Sequence, residues 1–265
     1  MRKKLQLIFL CFAVIFAAIL IHNFIISEDI EVPEAAVREP MQRYVPVVEV
    51  PYAPISEPTD DEMPTEEPTE EYVPQPPELL PRIAQLREAY DNPDIIGFIE
   101  ITGTDISYPV AQTGNNVFYL YHDLHWNPSN AGSIFLDYEN DLYVLADDNT
   151  IIYGHNMRNG TMFHNIRFFH GEDFFRNHTY ILLDTPYQET VWDIFSFFPT
   201  TIAFDYLTTN FHNNDAFYAF MLELQGRSIH TTDIVLSEED QILILSTCAV
   251  IGGPNRYVVV ARLRR

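Results

Sequence analysis

The pattern of hydrophobic and polar positions divides the chain into three parts. Residues 5–26 form an apolar run that only Gln6, His22 and Asn23 interrupt. Residues 27–77 are polar and rich in proline, and from residue 78 onward short apolar runs alternate with turn residues. The third part predicts a folded domain, because its apolar runs recur at the spacing of strands and helices.

Most of the apolar runs in the domain are short, β-branched or aromatic, and bounded by Asn, Asp, Gly or Pro, which is typical of strands. Two segments instead show helical spacing: residues 79–90, which end before Asn92-Pro93, and residues 216–226, which end at Gly226. Seven or eight strands with two or three helices favour a mainly β, small closed barrel, with a β-sandwich as the alternative. The predicted strands are residues 106–110, 132–137, 150–154, 179–184, 190–198, 241–247 and 256–263.

The N-terminal run has the length of a membrane-spanning helix. Its 22 residues would extend about 33 Å at about 1.5 Å per residue. Basic residues at positions 2–4 precede it, so residues 1–4 are predicted to remain in the cytoplasm and the rest of the chain to be exported. A cleaved signal peptide is the alternative, but the run is long for one and no small-residue cleavage site follows.

Residues 27–77 predict a disordered linker. They contain 11 of the 18 prolines and 14 acidic residues against two arginines. Such a composition buries too little apolar surface to offset the entropy of ordering. An extended chain of this length reaches at most about 160 Å at about 3.1 Å per residue.

The domain that we predict at residues 78–265 is strongly acidic. It has 10 arginines, no lysine and 24 acidic residues, a net charge of −14. Nucleic acids and anionic membrane surfaces are therefore poor partners.

Cys248 is the single cysteine outside the N-terminal run, so no disulfide can form within the domain. A lone thiol in an exported protein is buried, paired between chains, or kept free because it reacts. Cys248 follows a predicted strand, and Arg256 opens the next one. An arginine there could favour the thiolate or stabilise an oxyanion.

His155 is the candidate acid or base, because it follows a predicted strand directly and imidazole exchanges protons near neutral pH. An exposed or capping histidine is the alternative at this position, as for the chain's other histidines. His122 and His125 lie three residues apart, but none of the common zinc or calcium motifs occurs, so we expect no metal site and no cofactor.

Several stretches resemble the sortases, the cysteine transpeptidases of Gram-positive cell surfaces. LSTC (245–248) and NRYVVVARL (255–263) resemble their cysteine and arginine strands, and YGHNMRNGTMF (153–163) resembles their histidine segment in its class B form. Residues 92–120 and 130–140, and the helix at 216–226 with the residues that follow it, also resemble class B members, in the same order along the chain. One departure is Ala249, where many class B members have an acidic residue.

The resemblance implies a sortase-type closed barrel with an N-terminal helix and a helix inserted before the cysteine strand. It implies Cys248 as nucleophile, His155 as acid and base, and Arg256 as the group that holds substrate and oxyanion. We expect Thr247 and Ser246 to line the substrate groove, although Ser246 could instead serve the backbone, and we expect Asn156 to help position His155.

The resemblance further implies a membrane-anchored enzyme that cleaves a sorting motif at a Thr-Gly or Thr-Asn bond. The acyl group would pass to an amine of a lipid-linked peptidoglycan precursor, or to a pilin amine in a polymerising enzyme. Another Cys/His peptidoglycan enzyme and a non-catalytic surface binding protein are the remaining alternatives.

Overall fold

The computed structural model describes Arg38, residues 77–248 and residues 255–265. The predicted anchor at residues 5–26, the cytoplasmic residues 1–4 and nearly all of the predicted linker lie outside these ranges. No helix within the described ranges is both long enough and apolar enough to cross a bilayer. The predicted division into anchor, linker and domain therefore stays a prediction.

Eight strands and five helical segments make up the described domain. In chain order they are α1 (Pro81–Tyr90), β1 (Ile95–Glu100), β2 (Ser107–Ala111), α2 (Phe118–Tyr121), β3 (Ile134–Leu136), β4 (Asn149–His155), a 3₁₀-helix (Phe163–His170), α3 (Glu172–Asn177), β5 (Tyr180–Asp184), β6 (Glu189–Thr201), α4 (Asn214–Gly226), β7 (Ile242–Cys248) and β8 (Asn255–Leu263).

The strands close into a barrel in the order β1-β2-β3-β4-β7-β8-β6-β5. Two neighbouring pairs, β2–β3 and β4–β7, are parallel, and the others are antiparallel. Closure leaves no open sheet edge and excludes the β-sandwich. The predicted closed barrel, with one helix before its strands and another before β7, is confirmed.

Two hydrophobic cores stabilise the barrel on its two faces. The first draws on every strand and fills the interior, with Trp192 and Phe197 among its fully buried members. The second lies between the outer face of several strands and α4, where Phe217, Met221 and Leu224 of that helix are buried. Strand residues alternate between these cores because successive side chains point to opposite faces.

Helix α1 begins with Pro81, whose fixed φ suits the first helical turn, and ends where Asp91 takes a left-handed conformation. The helix is tied to the barrel by two of its arginines. Arg82 Nη1 donates to Asp184 at 2.7 Å, and Arg87 Nε donates to the Ile95 carbonyl at 2.6 Å. The N-terminal helix is thus attached to both β1 and β5.

Candidate active site

His155 and Cys248 occupy opposite positions on two neighbouring strands. His155 is the last residue of β4 and Cys248 the last of β7, and the parallel register of these strands pairs the two residues. Paired strands lie about 4.8 Å apart. Two residues separated by 93 positions in the chain therefore come together at one end of the barrel.

Arg256 belongs to the strand on the other side of Cys248. Strands β7 and β8 are antiparallel, and their paired positions run as far as Ser246 opposite Val258. Two further residues in the same register bring position 248 opposite position 256. The predicted trio therefore occupies adjacent positions on three consecutive strands, β4, β7 and β8.

The three positions also share one face of the sheet. Positions 155, 153 and 151 lie on the same face of β4, as do positions 248, 246 and 244 of β7, because side chains alternate along a strand. This is the outer face, since Ile151, Tyr153 and Ile244 belong to the core beneath α4. The site thus stands at the end of a packed outer layer and not inside the barrel.

The His155 ring is half-buried and held by one backbone group. Its Nε2 lies 2.8 Å from the carbonyl oxygen of Leu120 in α2. A carbonyl only accepts, so Nε2 carries the proton and Nδ1 remains to exchange one. Helix α2 is itself fixed, because Asn115 Oδ1 accepts from the backbone N–H groups of Val117 and Phe118 at 2.9 Å.

The surroundings of His155 lower its pKa below the ordinary value. Burial is the main cause, and the positive charge of Arg256 lowers the pKa further, while the hydrogen bond to Leu120 opposes both. The imidazole is therefore neutral at neutral pH and able to accept a proton.

Gly154, directly before His155, faces the barrel interior at a point with no room for a side chain. A Cβ atom there would lie 2.7 and 2.8 Å from ring atoms of Phe163 and would also clash with Ile134. Phe163 is fully buried. A glycine is required because the backbone of β4 at this position packs directly against the Phe163 ring of the 3₁₀-helix.

The neighbours that we expected to contact substrate lie in different surroundings. Ser246 is 2% exposed, and its hydroxyl bonds to the Tyr206 hydroxyl at 2.8 Å. Thr247 is 1% exposed, and its hydroxyl accepts from the Tyr257 N–H at 2.9 Å. Asn156 forms a backbone bridge with Met162. Substrate contact by any of the three stays a prediction.

The paired histidines considered as metal ligands have other partners. His122 Nδ1 lies 2.9 Å from the Phe118 carbonyl, and its ring stacks on Phe118. His125 packs against the Tyr90 ring. Across the described parts of the chain, no group of three or more His, Cys, Asp or Glu side chains could hold a metal ion.

Sequence reasoning missed Leu120 and Gly154. Leu120 contributes through its backbone, 35 residues before His155, and no side-chain pattern identifies a carbonyl as a histidine partner. Gly154 could be read only as the end of a strand run, because its close contact with Phe163 depends on tertiary packing.

Comparison with known proteins agrees with this geometry. Residues 99–264 match the family model of the sortase domain. The chain is 36% identical to sortase B of Listeria monocytogenes over 157 residues. This aligned region covers 59% of this chain and 63% of that protein. The chain is 35% identical over 174 residues to sortase B of Staphylococcus aureus, covering 65% and 71% respectively.

Solved structures show the same similarity in three dimensions. A Staphylococcus aureus sortase B–substrate complex aligns with a TM-score of 0.67 at 32% identity, covering 71% of this chain and 87% of that one. Sortase B from Clostridium perfringens aligns with a TM-score of 0.63 at 34% identity, covering 69% and 99%.

Proposed function

Since the chain belongs to the sortase family and is similar to its class B members, as the sequence resemblance predicted, we propose that it is a cysteine transpeptidase acting on sorting motifs. The observation that supports this best is the pairing of His155 with Cys248 at the ends of two parallel strands. A nucleophile and its base must lie within reach of each other, and this register supplies that proximity.

The first half of the reaction is acyl transfer to Cys248. The thiolate sulfur attacks the carbonyl carbon of the threonine in a Thr-Gly or Thr-Asn bond, and the C–N bond breaks as the tetrahedral intermediate collapses. His155 delivers a proton from Nδ1 to the departing amine. The products are a thioester on Cys248 and the released C-terminal fragment.

In the second half an amine attacks the thioester. His155, now neutral, takes the proton that the amine loses, and the thiolate of Cys248 leaves as the new amide bond forms. Arg256 holds the substrate and stabilises the oxyanion of both intermediates, because guanidinium is permanently charged and presents several donors. No cofactor takes part in these steps.

The lowered pKa of His155 has a consequence for the resting enzyme. An unperturbed thiol has a pKa near 8.5, so a thiol of that kind would be predominantly neutral at neutral pH, as the imidazole of His155 is. Only the fraction with thiolate and imidazolium together starts the reaction. We therefore expect activity to be limited by that fraction and to follow a bell-shaped pH profile, because alkali removes the imidazolium while it forms the thiolate.

The substrate and location follow from the same family. The sulfur would receive the sorting motif of surface proteins, and the accepting amine would belong to a lipid-linked peptidoglycan precursor. Residues 5–26 would anchor the chain in the cell membrane by a single span, with the N-terminus in the cytoplasm and the catalytic domain outside. Both substrates begin at the membrane, which makes an anchored enzyme effective.

Mass spectrometry of acyl-enzyme formation tests the proposal. The full chain in detergent, kept reduced, is incubated with peptides carrying Thr-Gly or Thr-Asn bonds in varied motifs, first alone and then with an amine acceptor. We expect an acyl adduct on Cys248 that the acceptor discharges. Cys248→Ala and His155→Gln should abolish the adduct or slow it strongly.

His212→Gln is the matched control, because His212 is an exposed histidine in the loop before α4. A folded sample that forms no adduct on Cys248 with any peptide would refute the enzyme proposal. Adducts that form equally well in His155→Gln would refute the role of the histidine alone.

A further inference from the structure

Arg38, within the proline-rich acidic segment, makes a close contact with the folded domain. Its Nε donates to Asp94 Oδ2 at 2.8 Å and its Nη2 donates to Asp94 Oδ1 at 2.7 Å. Two parallel hydrogen bonds between guanidinium and carboxylate form the strongest and most directional kind of surface ion pair. This contact joins residues 56 positions apart.

Two groups of the domain contact Arg38, namely the Asp94 carboxylate and the Trp126 ring, and the Tyr119 hydroxyl bonds to both. We call these three residues the guanidinium pocket. Asp94 is 8% exposed and also accepts from the Tyr119 hydroxyl at 2.8 Å. The Trp126 ring lies with its centre 4.3 Å from the Arg38 guanidinium carbon. A carboxylate beside an aromatic face is the environment that arginine occupies best.

The position of Trp126 is an independent sign of a built site. Its backbone has φ of 64°, in the left-handed region that bulky side chains rarely adopt. Its ring nitrogen donates to the Tyr119 hydroxyl at 3.2 Å. The strained backbone thus holds the indole against the same hydroxyl that binds Asp94, and the ring forms one wall of the guanidinium pocket.

We propose that Arg38 docks the N-terminal segment onto the catalytic domain through the guanidinium pocket. Charge makes the contact specific, because the segment and the domain are both strongly acidic and repel each other elsewhere. Arg38 and Arg43 are the two cationic residues in residues 27–77. The contact at residue 38 would then divide the linker into two shorter tethers.

Docking shortens the reach of the domain, provided that the proposed anchor is correct. Eleven residues lie between positions 26 and 38, and the twelve steps from one position to the other span at most about 43 Å when fully extended. The barrel would then be held near the membrane, and release of Arg38 would extend its range to that of the whole linker.

Docking also connects to the proposed catalytic histidine. Tyr119 of the guanidinium pocket and Leu120, whose carbonyl binds His155, are neighbours in α2. Arg38 therefore braces the helix that orients the imidazole. This consequence rests on the proposed function, whereas the docking itself does not.

Acrylamide quenching of tryptophan fluorescence tests the docking in the full chain in detergent. Trp192 is fully buried, whereas Trp126 is 39% exposed, so the quencher reports on Trp126. Arg38→Ala should raise the quenching constant by about twofold, because it uncovers one face of the indole. Arg43→Ala removes the same charge from the same segment and should leave the quenching constant at the wild-type value.

Arg38→Lys should give an intermediate constant, since an ammonium keeps the charge but loses the two parallel hydrogen bonds. A quenching constant that stays at the wild-type value in Arg38→Ala, or that rises equally in Arg43→Ala, would overturn the docking. These variants alter a residue outside the barrel, so a failure to fold cannot mask the result.

A double-variant cycle on the unfolding midpoint in urea gives a second measurement. Arg38→Ala and Asp94→Asn should each lower the midpoint, and the double variant should lower it by less than the sum of the two shifts, because Arg38 keeps only its contact with Trp126 once Asp94 is replaced. Additive shifts would mean that the two side chains do not pair. Neither assay needs turnover, so a failure of docking and a failure of the proposed enzymatic function are distinguishable.

Discussion

Replacing Gly154 by alanine tests whether the packing beside His155 sets both stability and catalysis. The added methyl group would lie 2.7 Å from the nearest ring atom of Phe163 and would also clash with Ile134. Both neighbours are buried, at 0% and 1% exposure, so neither has free space to enter. Either the ring or strand β4 must move.

The expected magnitude follows from this geometry. Overpacking a dense core costs about 1–3 kcal/mol of unfolding free energy. For a domain of this size, each kcal/mol lowers the melting temperature by about 2–4 °C. A shift of β4 by about 1 Å would displace His155 from its partner positions and slow acyl transfer by about 100-fold.

Calorimetry and acyl-adduct kinetics measure the two effects separately. Gly226→Ala is the matched control, because nothing lies within 4 Å of a Cβ at Gly226 and its backbone is not left-handed. Gly154→Ala should lower both the melting temperature and the rate of adduct formation, and Gly226→Ala should change both only slightly.

A Gly154→Ala enzyme that melts and reacts like Gly226→Ala would refute this reasoning. The interior would then be loose enough beside His155 to accept a methyl group. A variant that loses stability but keeps its rate would instead show that the histidine is positioned independently of the packing behind it.

Three further predictions concern pH and buried polar groups. Unfolded histidine binds more protons than His155 does in the fold, so His155 contributes a loss of stability as pH falls below about 6.5. Relative to wild type, His155→Gln should gain stability between pH 7 and 5 in thermal unfolding. Burial raises the pKa of Asp184 despite its contact with Arg82. Arg82→Ala should therefore lower the free energy of unfolding by up to about 1 kcal/mol at pH values above that pKa. The loss should be smaller at lower pH, where the carboxyl becomes neutral. Tyr206→Phe should lower the urea midpoint by the equivalent of about 1–2 kcal/mol, since the buried Ser246 hydroxyl loses this partner.

Each of these predictions has a contrary result. Equal acid sensitivity in wild type and His155→Gln would mean that the fold does not disfavour the charged imidazole. A loss in Arg82→Ala that grows on acidification would contradict the Asp184 argument. A Tyr206→Phe protein as stable as wild type would show that the hydroxyl pair contributes nothing net. Arg176→Ala, which breaks an exposed pair with Glu172, is the control for the arginine variant.

The strands and the two longer helices were predictable because their hydrophobic spacing is strong. The run at 241–247 corresponds to β7 (Ile242–Cys248), and the helix at 216–226 to α4 (Asn214–Gly226). Strand β1 was not predicted from spacing, since IIGFIE lacks a clear alternation and follows a helix. Helices α2 and α3 and the 3₁₀-helix are too short to show a period.

The sequence nominated candidate residues and placed Arg256 on the strand after Cys248, but it did not show how His155 comes to lie beside them. Residue chemistry pointed to Cys248, His155 and Arg256, and the family resemblance added their roles. The register that pairs positions 155 and 248 depends on which strands become neighbours, and nothing local in β4 or β7 encodes it. The guanidinium pocket could not be predicted either, because its contact joins Arg38 and Asp94, which lie 56 positions apart in segments with unrelated sequence patterns.

The parallel pairing of β4 with β7 has a consequence for when the chain becomes reactive. Everything from the 3₁₀-helix to α4 is inserted between these two strands, so their contact closes a long loop and belongs to the non-local contacts that form slowly. Until then Cys248 has no imidazole beside it and remains an ordinary thiol. If the chain is exported as proposed, it would cross the membrane without its acyl-transfer machinery and would acquire that machinery only when β4 pairs with β7.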